Sequence, residues 1–138
     1  MQSVIDVIWK GNMAFDAVIG DHKINMDLDE ERGGNDLGPR PKPLMLAALG
    51  GCTGLDVISI LKKMKIVPEY FNMHVEAHQT EDLPKRYEKI KIIYEFKGKN
   101  LSLDKIKKAI ELSQDKYCGV SAVYKKSIEI SYEVKILD

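Results

Sequence analysis

The chain opens with short segments, residues 4–10, 14–19 and 23–28, in which apolar and polar side chains partly alternate, as at Ile5, Val7 and Trp9, then Phe15, Ala17 and Ile19. A period of two is that of a strand with one covered face, and Gly11-Asn12 and Gly20-Asp21 fall between the segments as turns. A three-stranded meander is predicted. Residues 29–43, DEERGGNDLGPRPKP, then combine two adjacent glycines, three prolines and six charged groups before Lys42, so no helix or strand runs through them. Long ordered loops of this kind often serve a site.

From 44 to 64 the pattern changes to a nearly unbroken apolar stretch whose only charge before Lys62 is Asp56. With Pro43 suited to a first helical turn, this predicts a helix, and one apolar nearly all round belongs in the middle of a protein. Met73, Val75 and Ala77 alternate with His74, Glu76 and His78, while Ile90, Ile92, Tyr94 and Phe96 alternate with Lys89, Lys91, Ile93 and Glu95. These form a hairpin turned near residues 82–85. Ser102 caps a helix with an inner stripe of Leu103, Ile106, Ala109 or Ile110, and Ser113; a break follows at Tyr117-Cys118-Gly119, and a shorter helix reaches about Lys126. Ile128, Ile130, Tyr132, Val134 and Ile136 close the chain as a strand. Strand groups separated by helical regions predict an α+β class in one domain, 1–138, rather than strict βαβ alternation.

Composition narrows the function classes. Hydrophobic residues make up 44% and charged residues 30%, the profile of an ordered globular chain. Twenty-one basic and twenty-one acidic side chains cancel, and no basic block suggests a phosphate-tracking groove, so nucleic acid is not expected as a partner. The N-terminus lacks the features of a secretory signal, and no run of about 18 uninterrupted apolar residues occurs, so the expectation is a cytoplasmic protein without a membrane partner. Two cysteines in a reducing compartment are expected to stay thiols, with any bond between them transient.

Those thiols are the candidate chemistry. Cys52 lies in GGCTG on the apolar helix, where Gly50 and Gly51 each cost about 1 kcal/mol of helix stability relative to Ala. With Ala47 and Gly54 they make a small-residue strip, which serves either close helix packing or access of a ligand to the thiol. Cys118 sits beside Gly119 at the predicted break, where free backbone N–H groups favour a thiolate. Two thiols on separate helices suit a peroxidatic and resolving couple, and an inert core role is the alternative for each. Arg32 and Arg40, in the loop before the helix, are the candidate cations for activating Cys52. Asp56, one turn beyond it, opposes ionisation unless a cation neutralises it. His74 and His78 share a strand face with Glu76 between them, which reads as a solvated face, so no metal is expected. Gly33-Gly34 and Gly38-Pro39 lack the spacing of a phosphate loop.

The segment GPRPKPLMLAALGGCTGLDVISILKKMK resembles the signature of the OsmC/Ohr family, in which a proline-containing loop opens a long central helix bearing the reactive cysteine, and AIELSQDKYCGVSAVYKK resembles its second-cysteine segment. The likeness covers nearly the whole chain. It implies an OsmC-like fold, antiparallel sheets around a long buried helix, in an intertwined homodimer with active sites at the subunit interface. It implies a peroxidase of organic hydroperoxides without cofactor or metal, with Cys52 peroxidatic, Cys118 resolving and a dithiol as reductant. Leu44, Met45, Leu49 and Leu55 would give the thiol apolar surroundings suited to alkyl or lipid hydroperoxides.

The family also places an arginine near the reactive thiol, held by a glutamate at the start of the helix. Arg32 matches it by spacing, and Arg40 belongs to the Pro-Arg-Pro form of the loop. Lys42 and Pro43 stand where the glutamate is usual, leaving Asp36, Glu30 or Glu31 as substitutes. A redox-sensing or ligand-binding dimer with little turnover is the alternative function.

Overall fold

A computed structural model describes residues 1–138, which cluster into two compact units, Met1–Met45 and Leu46–Asp138. In the first, β1 (Asp6–Trp9), β2 (Phe15–Ile19) and β3 (His22–Met26) form the predicted meander, antiparallel in the order β1-β2-β3, with Trp9 opposite Phe15 and Phe15 opposite Met26. Its apolar side chains stay open: Val7, Ile8, Trp9 and Phe15 are all exposed. Val7, Met13, Phe15, Met26, Leu28 and Pro41 line a groove of about 430 Å³.

The loop after β3 is irregular apart from one 3-10 turn, Glu30–Arg32, capped by the Asp29 carboxylate on the Arg32 N–H. Buried Asp27 organises it by accepting from the N–H groups of Leu28, Asn35 and Leu37 at 2.7, 3.1 and 3.2 Å. Burial pushes this carboxyl up, but those three donors and the charge of Arg40 outweigh burial and hold it below the usual range. Gly34 and Gly38 are required by close approach, because a Cβ on either would run into the carbonyls of Leu28 and Asn25. Turn hydrogen bonds from Leu44 N–H to the Pro41 carbonyl and from Met45 N–H to that of Lys42 lead into α1 (Leu44–Lys63).

The second unit carries the main core. β4 (Tyr70–Gln79) and β5 (Tyr87–Lys97) form the predicted hairpin, with Met73 opposite Tyr94 and Val75 opposite Ile92. The expectation of purely antiparallel sheets is corrected here: β6 (Glu129–Ile136) runs parallel to β5, pairing Ile92 with Tyr132. Parallel neighbours require a crossover. Here α2 (Leu103–Leu112), a π-helical turn at Ser113–Tyr117 and α3 (Gly119–Tyr124) supply it. Alternation within β6 reports its face and not its direction, so this pairing was invisible in the pattern.

Leu49, Val57 and Leu61 of α1, Ile90, Ile92, Tyr94 and Phe96 of β5, and Ile106, Ala109 and Ile110 of α2 are at most 1% exposed. Each large apolar side chain among them contributes about 1.5–3 kcal/mol by leaving water. Ile93 is buried as well, so β5 is the covered central strand of its sheet. Ser102 caps α2 as predicted, accepting from Lys105 N–H, whereas Leu103 lies outside the inner stripe and is exposed.

α1 is long and apolar enough, by length and composition, to cross a membrane. Its apolar surface is divided between two uses. Leu49, Gly50, Thr53, Gly54, Val57 and Leu61 are buried, while Ala47, Ala48, Gly51, Leu55 and Ile58 are exposed. The small-residue strip is divided in the same way. A Cβ at Gly54 would lie 2.5 Å from Met73 Cε and one at Gly50 3.5 Å from Val75 Cγ2, whereas a Cβ at Gly51 would meet nothing.

Candidate active site

Cys52 and Asp56 stand one turn apart on α1, where an i, i+4 spacing puts them on one face. Cys118 comes from the crossover. At the end of the π-helical turn its N–H donates to the Ser113 carbonyl at 2.7 Å, and the residue then turns extended to cap α3. This brings both sulfurs and an Asp56 carboxylate oxygen within 4.8 Å of one another. Both cysteines are free thiols, Cys52 half-buried and Cys118 buried. Two thiols and a carboxylate so placed also form a donor set that a soft divalent ion could use.

The two sulfurs differ in surroundings. Cys118 Sγ accepts from Ser121 N–H at 3.3 Å, the backbone donor expected at a helix break. Burial nevertheless prevails. It pushes the Cys118 thiol up to about 11, and the adjacent Cys52 adds to the rise against the N–H groups of Ser121 and Val120.

Beneath the thiols lies a polar network that the sequence pattern did not reveal. Ser113 Oγ donates to Asp56 Oδ2 at 2.8 Å and contacts Thr53 Oγ1 at 2.8 Å, and Thr53 Oγ1 contacts Tyr94 Oη at 2.7 Å. Gln114 Nε2 donates to both Thr53 Oγ1 and Tyr94 Oη, at 3.2 and 3.0 Å, and Ser121 Oγ donates to Gln114 Oε1 at 2.7 Å. Lys125 Nζ donates to the Gln114 carbonyl at 2.9 Å. Thr53, Tyr94, Ser113 and Ser121 are wholly buried, where an unpaired hydroxyl would cost about 1–3 kcal/mol. Burial raises the Tyr94 phenol above its ordinary value, so at neutral pH it remains a donor. Asp56 therefore has a hydroxyl partner in Ser113. Ser113, Ser121 and Gln114 carried only a generic signal, polar residues in or near a helix stripe otherwise apolar.

Arg40, but not Arg32, is firmly held within the loop. It pairs with Asp36, lies 3.9 Å from Asp29 and donates to the Gly38 carbonyl at 2.7 Å, and the Asp36 hydrogen bond raises its already high pKa. Its buried Nε has no partner. Arg32 is largely exposed, with Asp29 at 3.9 Å. Of the three acids considered as substitutes for a helix-start glutamate, Asp36 contacts Arg40, while Glu30 and Glu31 belong to the 3-10 turn. Leu49 is core and Leu55 is on the exposed face of α1. His74 and His78 lie on the exposed face of β4, near Glu76 and Glu88 at 3.7 and 3.5 Å.

The model of the OsmC-like protein family matches residues 33–133, which include both cysteines, the α1 helix and the whole polar network. The chain belongs to that family. The Escherichia coli K12 protein YhfA is 31% identical over 115 residues, covering 82% of this chain and 83% of its own length. A hypothetical protein from Aquifex aeolicus VF5 superposes with a TM-score of 0.84 at 29% identity, covering 100% of this chain and 99% of its own. The organic hydroperoxide resistance protein OhrB of Bacillus subtilis shares the fold, with a TM-score of 0.68 and 15% identity over 96% of this chain and 98% of its own. The OsmC-like fold anticipated from the cysteine segments is thus the fold found.

Proposed function

We propose that this chain is a thiol-dependent peroxidase of organic hydroperoxides, acting in the cytoplasm as a homodimer. The observation that carries the reading is the placement of two free thiols within 4.8 Å, one half-buried and one buried. The half-buried Cys52, as thiolate, attacks the peroxide O–O bond; one oxygen stays on sulfur as sulfenic acid and the other leaves, protonated, as the alcohol. Cys118 then attacks the sulfenic sulfur, releasing water and forming the disulfide. A cellular dithiol reopens it by exchange. The fold shared with a protein named for organic hydroperoxide resistance supports this substrate class.

The dimer is supported by the uncovered apolar surface of α1 and of the meander, since large open patches mark interfaces. Arg40 is our candidate for the activating cation ahead of Arg32, because its guanidinium is fixed by Asp36 and retains an unpartnered Nε. A second reading, a redox-responsive dimer with little turnover, is favoured by the high pKa of Cys118 and the lack of a helix-start glutamate.

The test is mass spectrometry after one equivalent of cumene hydroperoxide. Wild type is expected to lose two hydrogens, Cys118→Ser to gain oxygen on Cys52, and Cys52→Ser to consume no peroxide beyond background. If wild type and Cys52→Ser consume it equally slowly, peroxidase activity is refuted. Arg40→Ala is expected to slow Cys52 alkylation at neutral pH more than Arg32→Ala. Equal rates in both variants and wild type would remove arginine from the mechanism.

A further inference from the structure

Disulfide closure poses a proton problem at this site. Cys118 must lose its proton as it attacks, yet it is buried. We propose that Asp56 accepts that proton, and that the hydroxyls of Ser113, Thr53 and Tyr94 hold its carboxylate in place beside the two sulfurs. The proposal rests on reading Cys52 and Cys118 as a redox pair and adds a third reacting group to it.

Hydrogen-bond accounting supports this role. Ser113 spends its single hydroxyl proton on Asp56 Oδ2, so the Thr53–Ser113 contact must be a donation from Thr53. Thr53 has then spent its own, so Tyr94 donates to Thr53. Gln114 Nε2 fills the remaining acceptor sites on Thr53 and Tyr94, and its amide is fixed in this sense because both of those hydroxyl protons are already committed, while Oε1 accepts from Ser121. Every hydroxyl proton from Tyr94 onward points toward Asp56. A chain ordered in this way polarises along its length and fixes the orientation of the group at its end.

The titratable groups around the carboxylate leave it as the acceptor. From α1 and the crossover come the two thiols. From β5 comes Tyr94, whose phenol is already committed as a donor and which Tyr132 of β6 meets edge-on at 6.0 Å. Lys125, beyond α3, is engaged on the Gln114 carbonyl, and Asp115 and Lys116 of the π-helical turn are exposed. His74 and His78 lie on the exposed face of β4. In the closing step the Cys118 S–H proton passes to Asp56, the S–S bond forms as the Cys52 S–O bond breaks, and Asp56 returns the proton to the departing hydroxide as water. No further oxidant or reductant enters.

Ellman's reagent tests this without peroxide. Cys52 releases one thionitrobenzoate on forming the mixed disulfide, and attack by Cys118 releases a second. In Asp56→Asn, which can still accept from Ser113, the second release is expected to be slower by at least about tenfold at neutral pH. It should then climb about tenfold per pH unit from about pH 7 to 9, as the thiol ionises unaided, while wild type climbs less steeply. Asp56→Glu should recover part of the rate. A variant profile superimposable on wild type, or lowered equally at every pH, overturns the proposal, the latter because a purely positional role has no pH signature. Because the probe is not a peroxide, inert cumene hydroperoxide with the expected two-phase release would refute the peroxidase reading and leave Asp56 in its role.

Discussion

The two faces of α1 are made of similar residues and do different things. Leu49, Val57 and Leu61 are wholly buried against the unit's own core, whereas Leu55 is 76% exposed on the other side, beside exposed Ala48, Gly51 and Ile58. Cys52 and Asp56, both half-buried, lie on the seam between these faces. A helix that is apolar nearly all round is suited to being covered on more than one side. The core face carries its polar groups in a hydrogen-bond network, whereas Ser59 on the open face is exposed to water. On our reading, the open face is where a second copy docks.

The same substitution on each face gives the largest contrast. Leu49→Ala leaves a cavity in packed surroundings and is expected to cost about 2–5 kcal/mol in denaturant unfolding. Leu55→Ala should leave the chain's own folding nearly unchanged and instead shift the sedimentation profile toward monomer. Equal losses of folding stability, with no change in association, would break the assignment of the two faces.

Next in size is the network under the seam. Thr53→Val keeps the shape of the side chain but removes the hydroxyl that Tyr94, Ser113 and Gln114 share, with an expected loss of about 1–3 kcal/mol. Thermal unfolding of this variant, with Tyr94→Phe alone and in combination, measures the coupling. Additive losses would mean that the contacts do not act as one network.

The smallest effect concerns the glycines. On an open helix face Gly51→Ala should stabilise by up to about 1 kcal/mol, since a Cβ there meets nothing in the chain. If a second copy approaches closely at this face, the same methyl group weakens association. We expect the latter, read as a raised dimer dissociation constant in sedimentation. Unchanged association with a gain in stability would place the interface elsewhere.

Features settled by neighbours in sequence were legible without a structure. The α1 helix was predicted at 44–64 and runs Leu44–Lys63, the meander and hairpin fall where alternation and turn residues put them, and Ser102 caps α2. Helix period, strand period and capping are local, so a few adjacent residues determine each. The two cysteine segments likewise marked the family.

What tertiary structure alone decided involves partners far apart in the chain. The parallel β5–β6 pairing depends on how the crossover packs, and neither strand's alternation encodes direction. Which face of α1 is core could not be read from a helix with leucines on both sides. Asp56 meets Ser113 because the π-helical turn that positions Cys118 also brings that hydroxyl onto the seam. The acid that holds Arg40 is Asp36, chosen by the path of the loop and not by the helix-start position, where Lys42 and Pro43 stand. A side chain's chemical type is written in the sequence, but its burial, its partner and hence its reactivity arise only when distant segments pack together.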